Sequence, residues 1–115
     1  MRFVRLLVLA VLCSGFVMNQ VAAQTASAEK GKAAYVKHGC WQCHGFVGQG
    51  GVTGPKLAPN PMPFEALSAF VRFTNGAMPP YQSAMLSNAD LADIYAYLQS
   101  IPQAPDYKSI PLLNP

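Results

Sequence analysis

Five consecutive residues, Cys40-Trp41-Gln42-Cys43-His44, constrain this chain more than any other stretch. Two cysteines separated by two residues and followed at once by histidine form the attachment pattern of a c-type haem. The two sulfurs would add across the porphyrin vinyl groups and leave the adjacent imidazole beneath the iron, so His44 is the expected proximal ligand. Two rival chemistries use similar residues. A structural zinc site needs four ligands on a tetrahedron. Cys43 and His44 are neighbours that do not easily face one small ion, and only His38 and Cys13 remain to complete a set. A thioredoxin-like dithiol wants a βαβ setting, and no alternation of strand and helix patterns surrounds these residues. Haem attachment is the preferred reading.

The beginning of the chain points to the compartment in which such a haem is attached. Arg2 and Arg5 precede an apolar run over residues 6–12 that resumes at Phe16-Val17, and small residues follow at Val21-Ala22-Ala23. Basic, hydrophobic and cleavage regions in that order read as a secretory signal peptide over residues 1–23. An uncleaved anchor would need about 20 mainly apolar residues, and Asn19 and Gln20 interrupt the run. Cys13 does not read as a lipoprotein site, because Leu12 stands where a small residue is favoured; it leaves with the leader. Cys40 and Cys43 are then the only cysteines of the mature chain, and no disulfide framework is needed. The expected location is the periplasm, with no membrane span in the mature form.

Removing 23 of the 115 residues leaves 92, enough for one small domain over 24–115. The eight basic residues lose Arg2 and Arg5 and stand against five acidic ones, so the mature net charge is near +1. Nucleic acid or anionic lipid would call for a clustered basic face, and none is present. A domain of this size has a limited apolar interior, which an attached porphyrin would enlarge. The apoprotein is accordingly expected to fold poorly.

Along the mature chain, residues 29–37 predict a short helix, with Ala28, Gly31, Ala34, Tyr35 and His38 at three- and four-residue spacing and Gly39 as its end. His38 is read as a helix-end or surface histidine, since its tether to Cys40 is too short to carry it around the porphyrin edge. Trp41 is either a spacer or an aromatic lid. Residues 45–60 are rich in glycine and proline and predict an irregular loop. Within it, Thr53-Gly54-Pro55 offers a carbonyl that could accept the Nδ1 proton of His44 and orient the imidazole; a plain turn is the alternative. A second helix is predicted over 64–73 with Leu67, Phe70 and Val71 on its apolar side, ended by Asn75-Gly76. Met78-Pro79-Pro80-Tyr81 follows. A thioether is a soft donor suited to low-spin haem iron, and the prolines would stiffen its loop, so Met78 is favoured as second axial ligand over Met62 and Met85. The last helix, 87–100, starts at Ser87 with Asp90 three residues on. Leu91, Ile94, Tyr95 and Leu98 form its core stripe, with Asp93 and Gln99 off it. The proline-rich tail 101–115 carries Ile110, Leu112 and Leu113 and is expected to pack along its own domain.

Taken together, Cys40-Trp41-Gln42-Cys43-His44, Thr53-Gly54-Pro55, Met78-Pro79 and the run Leu91-Ala92-Asp93-Ile94-Tyr95-Ala96-Tyr97-Leu98 resemble the small class I c-type cytochromes over nearly the whole mature chain. The resemblance implies an all-α fold of three to four helices wrapped around one haem c, with Gly31 and Tyr35 crossing Ile94 and Tyr97. It implies Cys40, Cys43, His44, Pro55, Met78 and Tyr81 as haem-binding residues, with His44 and Met78 on the iron. The segment before Met78 is short for the family, and Pro80 replaces the small residue often found there.

The function these readings imply is one-electron transfer without bond-breaking catalysis, by a free carrier or a cytochrome subunit of a dehydrogenase. Partners would be a dehydrogenase, an oxidase or another cytochrome, met as a monomer or in a small hetero-complex. Absence of charge clusters predicts docking that depends only mildly on salt. A haem enzyme or gas sensor with an open sixth position is the main alternative, but the chain offers no second distal histidine for peroxide chemistry. A module that docks through its tail, with the haem mainly structural, is a third.

Overall fold

The protein was analysed as a computed structural model, which describes residues 25–114; the leader expected over 1–23 lies outside the described residues. Among them the regular structure is all helical. Helix α1 (Ala28–Lys37) is followed at once by the single turn α2 (Trp41–His44), then α3 (Phe64–Phe73), α4 (Asn88–Ser100) and two 3-10 turns, Tyr107–Ser109 and Pro111–Leu113. No helix among the described residues is long and apolar enough to cross a membrane.

Helices α1 and α4 begin where a serine side chain meets one of their free N–H groups. Ser27 Oγ accepts from Lys30 N at 3.3 Å, and Glu29 and Lys37 complement the two ends of the α1 dipole. Ser87 Oγ accepts from Asp90 N at 3.0 Å to start α4. Helix α3 instead follows Pro63, with Glu65 in its first turn and Arg72 in its last. Its observed bounds are those expected from the sequence.

The core sits where α1 crosses α4. A Cβ on Gly31 would lie 1.8 Å from the carbonyl oxygen of Asp93, so only glycine lets the two backbones approach this closely. One turn on, the Tyr35 and Tyr97 rings meet edge to face at 5.6 Å. Leu86, Leu91 and Leu98 are fully buried around them, each stabilising the fold by about 1.5–3 kcal/mol. Leu67 and Val71 bring α3 onto the same core, and the Phe64 ring lies 5.3 Å from that of Tyr95.

Two side chains and the tail depart from expectation. Asp93 does not lie off the core side of α4: it is only 8% exposed, and its carboxylate accepts from Ser27 N at 2.6 Å. A buried carboxylate is tolerable there because a backbone donor meets it. Phe70 is 54% exposed rather than packed with Leu67 and Val71. His38 is the helix-end residue of the two readings: it caps α1, and its Nε2 is buried without a hydrogen-bond partner, 3.9 Å from Asp90 Oδ2. The tail does not pack as expected either. Its two 3-10 turns lie against each other, and Leu112 is 93% exposed. The turns hold together through Asn114 Nδ2, which donates to Tyr107 O at 2.7 Å.

Candidate haem site

The one-turn helix α2 carries the attachment motif. His44 N donates to Cys40 O at 3.1 Å and Gly45 N to Trp41 O at 2.9 Å, so Cys40, Cys43 and His44 fall at the i, i+3 and i+4 positions of a helical turn. The turn is fixed at both ends. On entry, Cys40 N donates to Tyr35 O at 3.2 Å. On exit, the hydroxyls of Tyr35 and Tyr97 donate to the carbonyls of Gly45 at 2.8 Å and Phe46 at 2.9 Å. The two tyrosines at the α1–α4 crossing thus reach out of the core and grip the chain immediately after His44. Trp41 folds back and stacks on Phe46, with centroids 4.7 Å apart and planes at 11°, so it is more than a spacer.

His44 is buried, 7% exposed, and its Nδ1 lies 2.8 Å from Pro55 O. A carbonyl oxygen can only accept, so Nδ1 carries the proton and Nε2 keeps its lone pair free for a metal. The chain reaches this position because residue 54 is glycine: a Cβ there would stand 2.7 Å from Cys43 O and 2.9 Å from His44 Nδ1. Gly50 N donates to His44 O at 2.8 Å and closes the loop around the imidazole.

Cys40 is half-buried and Cys43 exposed, both as free thiols. Burial pushes the Cys40 thiol up to about 11, which makes it a poor thiolate near neutral pH and the opposite of an activated redox dithiol. Nor does a structural zinc site have support, because no group of three His, Cys, Asp or Glu side chains gathers among the described residues.

Met78 lies in the irregular segment between α3 and α4. It is half-buried and packs against the core, as do Cys40, Trp41 and Tyr81, whereas Met62 and Met85 are exposed. Tyr81 ends this segment. Its N–H donates to Val71 O at 2.9 Å and its hydroxyl to His38 O at 2.9 Å. Burial and the nearby Cys40 and Cys43 hold that hydroxyl above its ordinary value. Arg72, which the sequence did not single out, donates from Nη1 to Tyr81 O at 2.6 Å and Leu86 O at 2.8 Å, and from Nη2 to Asn88 Oδ1 at 2.8 Å. The available signal was an arginine in the last turn of an apolar helix, just before the methionine segment.

Two soft sulfurs one helical turn apart, an imidazole with its outer proton already engaged, and a soft thioether on a separate segment form a donor set that fits a covalently held haem. A family model described as cytochrome C oxidase, cbb3-type, subunit III matches residues 26–98. The chain belongs to this family. It is a small c-type cytochrome, and its cofactor is a covalently bound haem c with iron. The match spans α1 to Leu98 of α4 and stops before the tail. No curated protein and no solved structure matches the chain.

Proposed function

We propose that this cytochrome carries one electron in the periplasm, on a haem joined through Cys40 and Cys43 and ligated by His44 and Met78. The observation that carries the reading is the buried His44 imidazole with Nδ1 committed to Pro55 O at 2.8 Å. That hydrogen bond fixes the tautomer and raises the basicity of the nitrogen that ligates. When bound, the haem supplies a ferric/ferrous couple, and methionine opposite histidine raises its potential. The remaining work of the chain is to hold the ligands still. The grip of Tyr35 and Tyr97 on the chain after His44 serves this directly, since ligands that do not move keep reorganisation small. A haem held by both His44 and Met78 would leave no open position for a substrate, and the role proposed is accordingly that of a carrier or an electron-transfer subunit.

The family's description as an oxidase subunit supports a redox protein as partner, with a dehydrogenase, an oxidase or another cytochrome as the candidates. The periplasmic location rests on the leader, and a mature chain beginning at Gln24 after export is its expected product.

Spectra of three variants test the ligation. Met78→Ala is expected to abolish the sulfur-to-iron charge-transfer band of the ferric protein and to open the iron to carbon monoxide in the ferrous state, while Met62→Ala and Met85→Ala retain the band. An unchanged sixth ligand in Met78→Ala would overturn the assignment.

A further inference from the structure

The segment that bears Met78 has almost no internal support. Between Thr74 and Pro80 the side chains and backbone contribute one hydrogen bond within the segment, Gly76 N to Thr74 Oγ1 at a long 3.4 Å. Pro79 and Pro80 have no N–H to give. Apart from the packing of Met78 on the core, the segment is therefore held from its two ends. The first is continuous with α3, whose final turn closes through Thr74 N to Phe70 O at 2.9 Å. The second is Tyr81, and all three polar groups of Tyr81 are engaged: the N–H by Val71 O, the carbonyl by Arg72, and the hydroxyl by His38 O. The last of these joins the methionine segment to the chain two residues before Cys40.

We infer that Arg72 is a positioning residue which, through Tyr81, sets how tightly Met78 is held on the iron. This rests on the ligation proposed above. One planar guanidinium spans the carbonyls of Tyr81 and Leu86 and the side chain of Asn88, so it joins the end of the methionine segment to the start of α4. A fork of fixed geometry can do this, and a lysine ammonium, a point charge on a flexible stem, does not reproduce it. Arg72 also stands next to Val71, whose own carbonyl receives the Tyr81 N–H. Two adjacent residues of α3 therefore hold the peptide groups on either side of the Tyr81 Cα, Val71 the one before it and Arg72 the one after it, and Met78 hangs three residues upstream of the clamp.

If Arg72 is loosened, the sulfur should leave the iron more easily while haem attachment and the His44–Pro55 pair stay as they are. The test uses the full holoprotein and imidazole as a competing ligand for the sixth position of the ferric iron. Arg72→Gln and Arg72→Lys are both expected to bind imidazole roughly tenfold more tightly than wild type, the change that loss of one charge-assisted hydrogen bond brings. Tyr81→Phe, which loses only the tie to His38, is expected to lie between them and wild type. Ile94→Val, a core change away from the segment, serves as the control for general destabilisation and should leave imidazole affinity unmoved.

Wild-type imidazole affinity in Arg72→Gln would overturn the inference, and so would full rescue by Arg72→Lys, which would assign the effect to charge rather than to the fork. An equal gain of affinity in Ile94→Val would overturn it as well, by making the effect one of global stability. Met78→Ala run alongside separates the two levels: if it keeps the band, the ligation itself is wrong; if it loses the band while Arg72→Gln behaves as wild type, only the positioning role fails.

Discussion

Tyr35 shows how one side chain serves both the core and the site. Its ring is fully buried against Tyr97, and its hydroxyl holds Gly45 O at 2.8 Å, directly after His44. Burial, and to a lesser degree the neighbouring Cys40 and Tyr97, raise its hydroxyl well above the ordinary value of 10.0. The Cys40 contribution disappears once that sulfur is a thioether, but burial, the larger cause, does not. A tyrosine whose proton is held more tightly in the folded than in the unfolded chain gives stability that is fully present below pH 10.0 and lost as pH climbs above it. Tyr35→Phe should therefore lose about 1 kcal/mol at neutral pH, the worth of the hydrogen bond, yet show a shallower loss of stability above pH 10.0. Denaturant titrations of both proteins across that window check the crossing of the two trends; parallel slopes would contradict it. At this scale an acceptor for His44 was legible within Thr53-Gly54-Pro55, and the resemblance to class I cytochromes pointed to Pro55, whose carbonyl lies 2.8 Å from Nδ1. The grip of Tyr35, Tyr97 and Arg72 on distant carbonyls was not. Which carbonyl a long side chain reaches depends on helix crossing and loop path, and neither is written in local spacing.

Among elements, α1 and α4 carry the architecture, and their crossing rests on Gly31. Gly31→Ala would drive a Cβ to within 1.8 Å of Asp93 O, and forcing the helices apart costs roughly 1–3 kcal/mol. Because the same crossing positions Tyr35 and Tyr97, the loss should appear twice: as a lower thermal midpoint, and as faster exchange of the Gly50 amide that closes on His44 O. A variant as stable as wild type would show that the close approach is not needed. The helices themselves were legible from periodicity, from Ser87 as a cap and from the Gly39 and Asn75-Gly76 stops, and α3 and α4 fall where those signals put them; the Ser27 cap of α1 was not read. Their faces were less so. Asp93 counted as polar in a pattern yet is buried, because Ser27 N supplies a donor from the other helix. Phe70 counted as apolar yet is exposed. The tail misled in the same way: Leu112 and Leu113 look like core residues, but the turns they sit in close on themselves through Asp106 and Asn114.

As a whole molecule, the described residues form a small all-α unit with one core, to which the turn after the attachment motif is tied by Tyr35 and Tyr97 and the segment that carries Met78 by Val71 and Arg72. So small a unit has little apolar interior of its own, and Phe46, Val47, Phe70 and Phe73 remain exposed. Membership of a c-type cytochrome family supplies what completes it. Residues 24–115 carry six basic and five acidic side chains, a formal charge near +1 that gives little long-range steering toward any partner. The central claim, that the mature chain is built around a porphyrin bonded through Cys40 and Cys43, is tested most directly by intact mass measured with thiol labelling. Protein purified from a host competent in cytochrome maturation should carry the mass of one haem that survives denaturation, with neither cysteine open to a thiol reagent. A colourless protein at the bare polypeptide mass, with both thiols reactive, would contradict the account.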